Sequence, residues 1–223
     1  MAKQADYQAL AADRAVALRL NTVSRETLAR LDRFVELLLH WQSSMNLIGS
    51  STIPQLWTRH VADSLQLLDL APNARTWIDL GTGAGFPGVV IACALAGMPG
   101  AKVWLVDKSP KKGAFLRAAV RALDIPALVH TGRIEDFSAS FSDSADVVTA
   151  RALAPMPKLL GFVAPFVEKG AQALLSKGQD VDAELTEAAK YWNIEAMRVP
   201  SRTNPTSRIV VVSRLEPVGE LKK

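Results

Sequence analysis

The chain has a single cysteine, three histidines and only two tyrosines in 223 residues. With no second thiol, Cys93 cannot close an internal disulfide, so the chain fits a reducing, cytoplasmic compartment. His40, His60 and His130 are scattered without ligand spacing, and no metal site is expected from them. No apolar run reaches the roughly 18 residues that a membrane-spanning helix needs, so no membrane association is expected. The opening residues carry charge throughout and lack the apolar centre of a secretory signal. No internal repeat or low-complexity segment is evident.

Hydrophobic residues make up 49% of the chain and charged residues 22%, which is enough to bury a substantial core. The length fits one large domain, or one domain with an appendage. The net charge of +4 is unevenly placed. Up to Leu70, seven basic residues balance seven acidic ones. From Lys102 to Arg121 there are six basic residues against Asp107 alone, and from Arg198 to Arg214 four arginines and no acid. Two such segments suit a nucleic-acid footprint, and equally a solvated helix face and a charged hairpin.

The first 72 residues read as a helical cap. Helical pattern to about Asn21 suggests a loosely attached first helix. Ser24 offers an N-cap, with Glu26 in the following turn. Leu28, Leu31, Phe34 or Val35, Leu38 and Trp41 then recur on one helical face. After a break over Gln42–Gly49, the stretch from Ile53 to Leu70 reads as another amphipathic helix. The tryptophans, Trp41, Trp57, Trp77, Trp104 and Trp192, fall mostly at core periods and are expected to pack rather than to stack on bases.

Residues 73–223 then alternate strand and helix, as in a parallel sheet covered on both faces. The organising stretch is WIDLGTGAGFPG, from Trp77 to Gly88. A buried strand runs into a glycine loop and then the start of an apolar helix. Glycines tolerate positive φ and let a ligand approach the backbone, while a helix start presents free N–H groups. Gly83, Gly85 and Gly88 match the dinucleotide pattern, but Asp79 would crowd a pyrophosphate with negative charge. A cofactor bearing an ammonium group would be welcome there. The strand KVWLVD ends in a second acid, Asp107, placed to accept ribose hydroxyls. Together these features favour S-adenosyl-L-methionine over NAD. Further strands are expected at Ala127–Thr131, Ala145–Thr149 and Ala171–Ser176, with Ile194–Val199 and Arg208–Ser213 as a terminal pair. The strand tips at Asp79, Asp107, Gly132, Ala150 and Lys177 open on one sheet edge, where ligands bind.

At this level of detail the chain resembles the RsmG (glucose-inhibited division protein B) family of bacterial 16S rRNA guanine-N7 methyltransferases. The resemblance rests on MNLIG and WTRHVADSL in the cap, DLGTGAGFPG, KVWLVD, GRIEDF, TARALA and LLSKG. Two departures stand out: an N-terminal stretch that does not align, and Ala84 where the family commonly has proline. The resemblance implies a class I S-adenosylmethionine-dependent fold, a Rossmann-like, mostly parallel seven-stranded sheet. It implies Gly81 and Phe86 lining the cofactor site, shaped by Asp79, Gly83 and Gly85. By the same resemblance Asp107 holds the ribose, Ile134 and Glu135 flank the adenine, and Arg151 stands where cofactor and target base meet. The implied substrate is a guanine in the 530 loop of 16S rRNA, presented within the 30S subunit or an assembly intermediate, to a monomeric enzyme.

N7 of guanine has a lone pair and no proton, so its methylation needs no general base. Arg151 and Lys177 are the candidates for holding the base or its phosphates. Lys108, Lys111, Lys112 and Arg202 are expected to track the RNA backbone, and Arg133 either to do the same or to pair with Asp136. His60 and Asp63, on one helix face, either tie the cap to the sheet or meet substrate.

Overall fold

A computed structural model describes residues 2–219; residue 1 and residues 220–223, the outer ends of the expected division into 1–72 and 73–223, lie outside them. The chain opens with α1 (Ala2–Leu20) and α2 (Arg25–Gln42). Ser24 caps α2 as expected, its Oγ accepting the Thr27 N–H at 3.1 Å. Leu31, Phe34, Val35 and Leu38 form its buried stripe. The first helix is not loose: Arg14 grips Asp32 of α2 through two bonds of 2.7 Å, and Asn21 Nδ2 donates to Ala62 O.

The stretch from Ile53 to Leu70 is not the single amphipathic helix that its periodicity suggests, and the winding begins earlier, at Ser50. It winds as 3-10 (Ser50–Gln55), π (Trp57–Ala62), a short α turn, α3 (Asp63–Leu65), and 3-10 again (Gln66–Leu70). Side chains compete for its backbone groups: Asp13 takes the Trp57 and Thr58 N–H groups, and Ser64 Oγ donates to His60 O at 2.6 Å. Pro54, inside the first turn, has no N–H to contribute.

Seven strands follow: β1 (Thr76–Leu80), β2 (Lys102–Asp107), β3 (Ala127–Thr131), β4 (Val147–Arg151), β5 (Gln172–Lys177), β6 (Trp192–Pro200) and β7 (Arg208–Pro217). Their order is β3-β2-β1-β4-β5-β7-β6. The first five are parallel, and β7 runs antiparallel to both β5 and β6. The helices α4 (Gly88–Leu95), α5 (Pro110–Leu123), α6 (Ile134–Ser140), α7 (Met156–Val167) and α8 (Val181–Ala188) join them.

Alternation along β1 sends Trp77 to one face and Ile78 and Leu80 to the other. The Trp77 side forms one core with Val89, Phe115 and the cap residues Leu31 and Phe34; the Ile78 side packs on Met156, Leu160 and Val163. Trp57 and Trp77 are fully buried, and Trp41, Trp104 and Trp192 pack partly buried against these cores. Cys93 is buried in α4, and burial pushes its thiol pKa up to about 12.

Strand β4 begins two residues later than its sequence pattern suggests, and so ends on Arg151. The carboxylate of Asp146 accepts the Arg75 and Thr76 N–H groups, both at 2.8 Å, so it fastens the entry to β1 instead of opening β4. Helix α6 is not marked in the sequence by a side-chain cap.

Candidate cofactor and substrate cleft

Strand β1 ends beneath the glycine loop. Gly81, Gly83 and Gly85 have φ of +69°, +59° and +91°, a region open to glycine at little cost. The helix that follows sits close: a Cβ on Gly88 would come 2.3 Å from Leu105 Cδ2 and 2.7 Å from Asp79 Oδ2. Asp79 lies under this loop, 1% exposed. Its Oδ2 accepts the Gly88 N–H at 2.8 Å and its Oδ1 the Thr149 hydroxyl at 3.1 Å. Burial pushes the carboxyl up to about 6, with the Gly88 and Thr149 bonds pulling the other way. Through these two bonds Asp79 holds the helix start against the loop and against β4.

At the tip of β2, Asp107 accepts Gly83 N–H at 3.0 Å on one oxygen and Ser109 N–H at 2.8 Å on the other. The Lys112 ammonium lies 3.8 Å from it. Gly132 N donates to Asp107 O at 3.1 Å, which brings the start of α6, with Ile134 and Glu135, beside the acid. Arg133 pairs with Glu135 at 3.2 Å, not with Asp136.

The loop opens into a cleft of about 910 Å³. It runs along the carboxyl ends of β1, β4 and β5, roofed by the Ile48–Asp63 part of the cap and closed on one side by the Ser201–Arg208 loop. Phe86 forms its inner wall, with the His60 ring stacked on it at a centroid distance of 4.9 Å and the Arg151 guanidinium 5.4 Å from its centroid. Arg151 Nη2 donates to His60 Nδ1 at 2.9 Å, and Nη1 to Arg59 O at 3.1 Å and to Asp63 at 3.5 Å. Burial lowers the Arg151 pKa, while Asp63 and Asp79 act to raise it. Its Nε–H takes part in none of these bonds.

Asp63 is the hub of this wall, since its other oxygen accepts Gln66 Nε2 at 2.8 Å and Thr203 Oγ1 at 2.7 Å. His60 and Asp63 thus tie the cap to the sheet and to the β6–β7 loop. Lys177 lines the same cleft but is held by Glu184 at 2.5 Å and Ala154 O at 3.2 Å. Of the basic residues expected to meet RNA, Lys108 and Lys111 are exposed at the start of α5. Lys112 lines the cleft. Arg202 pairs with Asp69 at 2.5 Å, fastening the β6–β7 loop to the cap. Thr149, Ser201 and Thr203 join the site without any local sequence signal, because only the sheet order brings them to Asp79 and Asp63.

A seven-stranded sheet of this order, with a glycine loop and a paired acid at its carboxyl edge, is the class I methyltransferase fold. Solved structures agree. An O-methyltransferase from Bacillus cereus aligns with a TM-score of 0.60 over 94% of this chain and 100% of its own, at 14% identity. The O-methyltransferase TomG from Streptomyces achromogenes gives 0.57 over 86% and 91%, at 13% identity.

Within that class the family is settled by sequence. The GidB family model, described as rRNA small subunit methyltransferase G, matches residues 27–209, and the chain belongs to that family. Proteins named ribosomal RNA small subunit methyltransferase G are 57% identical over 93% of both chains in Bradyrhizobium sp. strain BTAi1. In Nitrobacter hamburgensis the identity is 58%, over 96% of this chain and 82% of that one.

Proposed function

We propose that this chain transfers a methyl group from S-adenosyl-L-methionine to N7 of a guanine in the 530 loop of 16S rRNA. The observation that carries the proposal is one continuous cleft joining the glycine loop to the Arg151 guanidinium across Phe86. It stands beside membership of a family described as an rRNA methyltransferase.

The residues fit such a cofactor. Left-handed glycines leave the loop backbone open to close approach, and each Asp107 oxygen accepts one N–H and keeps a lone pair for a hydroxyl. Gly81 and Phe86 would line the site, Gly83, Gly85 and Asp79 would shape the loop, Asp107 would take the ribose, and Ile134 and Glu135 would flank the adenine. The cofactor supplies a methyl group already activated on a sulfonium centre.

What this chain adds is position. N7 offers a lone pair and no proton, so no residue has to act as a base. Arg151, held through both Nη atoms, lines the cleft where a guanine edge or phosphate would enter, and such fixing is where a rate advantage would arise. Lys177, neutralised by Glu184, serves chiefly to shape the wall beneath. In a duplex, N7 is hidden in RNA's deep major groove, so the target enters from a loop or flipped out. Exposed Lys108 and Lys111 then follow its backbone. Among the described residues no helix is long and apolar enough to cross a membrane. A monomer acting in the cytoplasm on the 30S subunit, or on an assembly intermediate, completes the proposal.

The test is methyl transfer from labelled S-adenosylmethionine to 30S subunits lacking this modification, mapped by chemical cleavage at 7-methylguanine. One labelled guanine in the 530 loop, lost in Arg151→Ala, is the expected result. Label at another nucleotide would overturn the target, and absence of label would overturn the reaction.

A further inference from the structure

The π turn Trp57–Ala62 carries Arg59 and His60 and runs directly into α3, which opens on Asp63; all three bond Arg151. π winding is rare and needs local support. Trp57 and Thr58 follow the 3-10 turn Ser50–Gln55 through a helical Leu56, so they stand where the winding changes to π. Their N–H groups are met by one side chain from another element. Asp13 Oδ2, on α1, accepts the Trp57 N–H at 2.8 Å and the Thr58 N–H at 3.1 Å, and Asp13 Oδ1 accepts the Thr58 hydroxyl. The neighbouring residue adds a second hold: Arg14 binds Asp32 and lays its guanidinium 5.3 Å from the centre of the Trp57 ring. Helix α1 precedes the residues matched by the family model, which begins at residue 27.

We infer that Asp13 is a positioning residue for methyl transfer: from outside the family-matched region it holds the π turn that aims His60, and through α3 Asp63, at Arg151. This rests on the methyltransferase reading. A carboxylate that accepts two successive N–H groups draws them out of the regular ladder and so holds the local π winding. Without it the two N–H groups turn to water, the turn is free to rewind, and rewinding rotates His60 and Asp63 relative to Arg151. Among the described residues the glycine loop meets this turn through the His60–Phe86 stack, and Asp13 lines the same cleft, so the loss of rate should exceed any loss of cofactor affinity. Sequence spacing gives no hint of this hold, because 45 positions separate Asp13 from Thr58.

The experiment compares the full-length chain with Asp13→Ala, Asp13→Asn and Asp13→Glu. Asp13→Ala is expected to lower kcat on 30S subunits about tenfold, with S-adenosylmethionine affinity, read by calorimetry, unchanged within about twofold. Asp13→Asn, which keeps one acceptor oxygen, is expected to recover much of the rate. Amide hydrogen exchange should speed up over Trp57–Asp63 in Asp13→Ala and stay as it was in β1 and β4. Undiminished kcat in Asp13→Ala would overturn the inference. So would parallel loss of kcat and cofactor affinity, or exchange that rises equally across the sheet, since either marks general destabilisation. If the unaltered chain transfers no methyl group, the functional reading fails, while the exchange pattern still decides whether Asp13 supports the π turn.

Discussion

The Arg151 guanidinium fixes the tautomer of His60. A guanidinium can only donate, so His60 Nδ1 accepts at 2.9 Å. The ring proton then sits on Nε2, 3.1 Å from Thr52 Oγ1. Burial, reinforced by Arg151 and Arg59, pushes the imidazole pKa from its ordinary 6.5 down to about 3.

Because the folded pKa lies below the unfolded one, His60 contributes stability that is complete above about pH 6.5 and is lost as pH falls toward 3. Urea unfolding at a series of pH values should therefore give a shallower fall between about pH 6.5 and 4 for His60→Gln than for the parent chain. Identical slopes would refute the neutral imidazole.

Asp79 has the opposite sign. Its folded pKa of about 6 lies above the ordinary 3.8, so its contribution is complete below about pH 4 and is lost as pH rises through 6. A shift of that size corresponds to about 3 kcal/mol. Asp79→Asn, whose amide oxygen can still accept the Gly88 N–H, should remove this loss, so that its stability relative to the parent improves from pH 4 to pH 7.

Gly88→Ala should destabilise the fold by about 3 kcal/mol, since the added methyl meets Leu105 and Asp79 inside a packed layer. The urea midpoint is expected to fall with its m-value unchanged. A neutral substitution would mean that α4 can lift from the sheet without cost.

Lys111 and Lys112 are neighbours in sequence with separate surroundings. Lys111 is exposed on α5, whereas Lys112 reaches back to within 3.8 Å of Asp107. Lys111→Ala should weaken RNA binding and lower its salt slope by about one, leaving cofactor binding intact. Lys112→Ala should alter S-adenosylmethionine affinity instead. Equal salt slopes in Lys111→Ala and the parent chain would remove Lys111 from the RNA footprint.

Much of the sheet was legible because its strands are short apolar runs broken by Gly and Pro, and the glycine loop announces itself with Asp79 and Asp107. The bonds of Asp79 to Gly88 and Thr149 were not legible: a carboxylate two residues before a glycine looks the same in sequence whether or not it accepts a helix N–H. The Ser50–Leu70 winding was hidden for a related reason. Apolar spacing reports which face is buried, while the hydrogen-bond ladder was decided by Asp13, which is distant in sequence. The pairing of Arg202 with Asp69 was not legible in local charge, because only the placing of β6 and β7 brings the two together.

The bonds from Asp63 to Thr203, across 140 positions, and from Arg202 to Asp69 make the cleft wall a joint product of early and late chain. During synthesis, the cap and the first five strands leave the ribosome before the loop that completes this wall exists. The cleft therefore closes only after β7 has been made and has inserted between β5 and β6. A nascent chain halted before Ser201 would possess the glycine loop in full and still lack one side of the compartment proposed to hold the base.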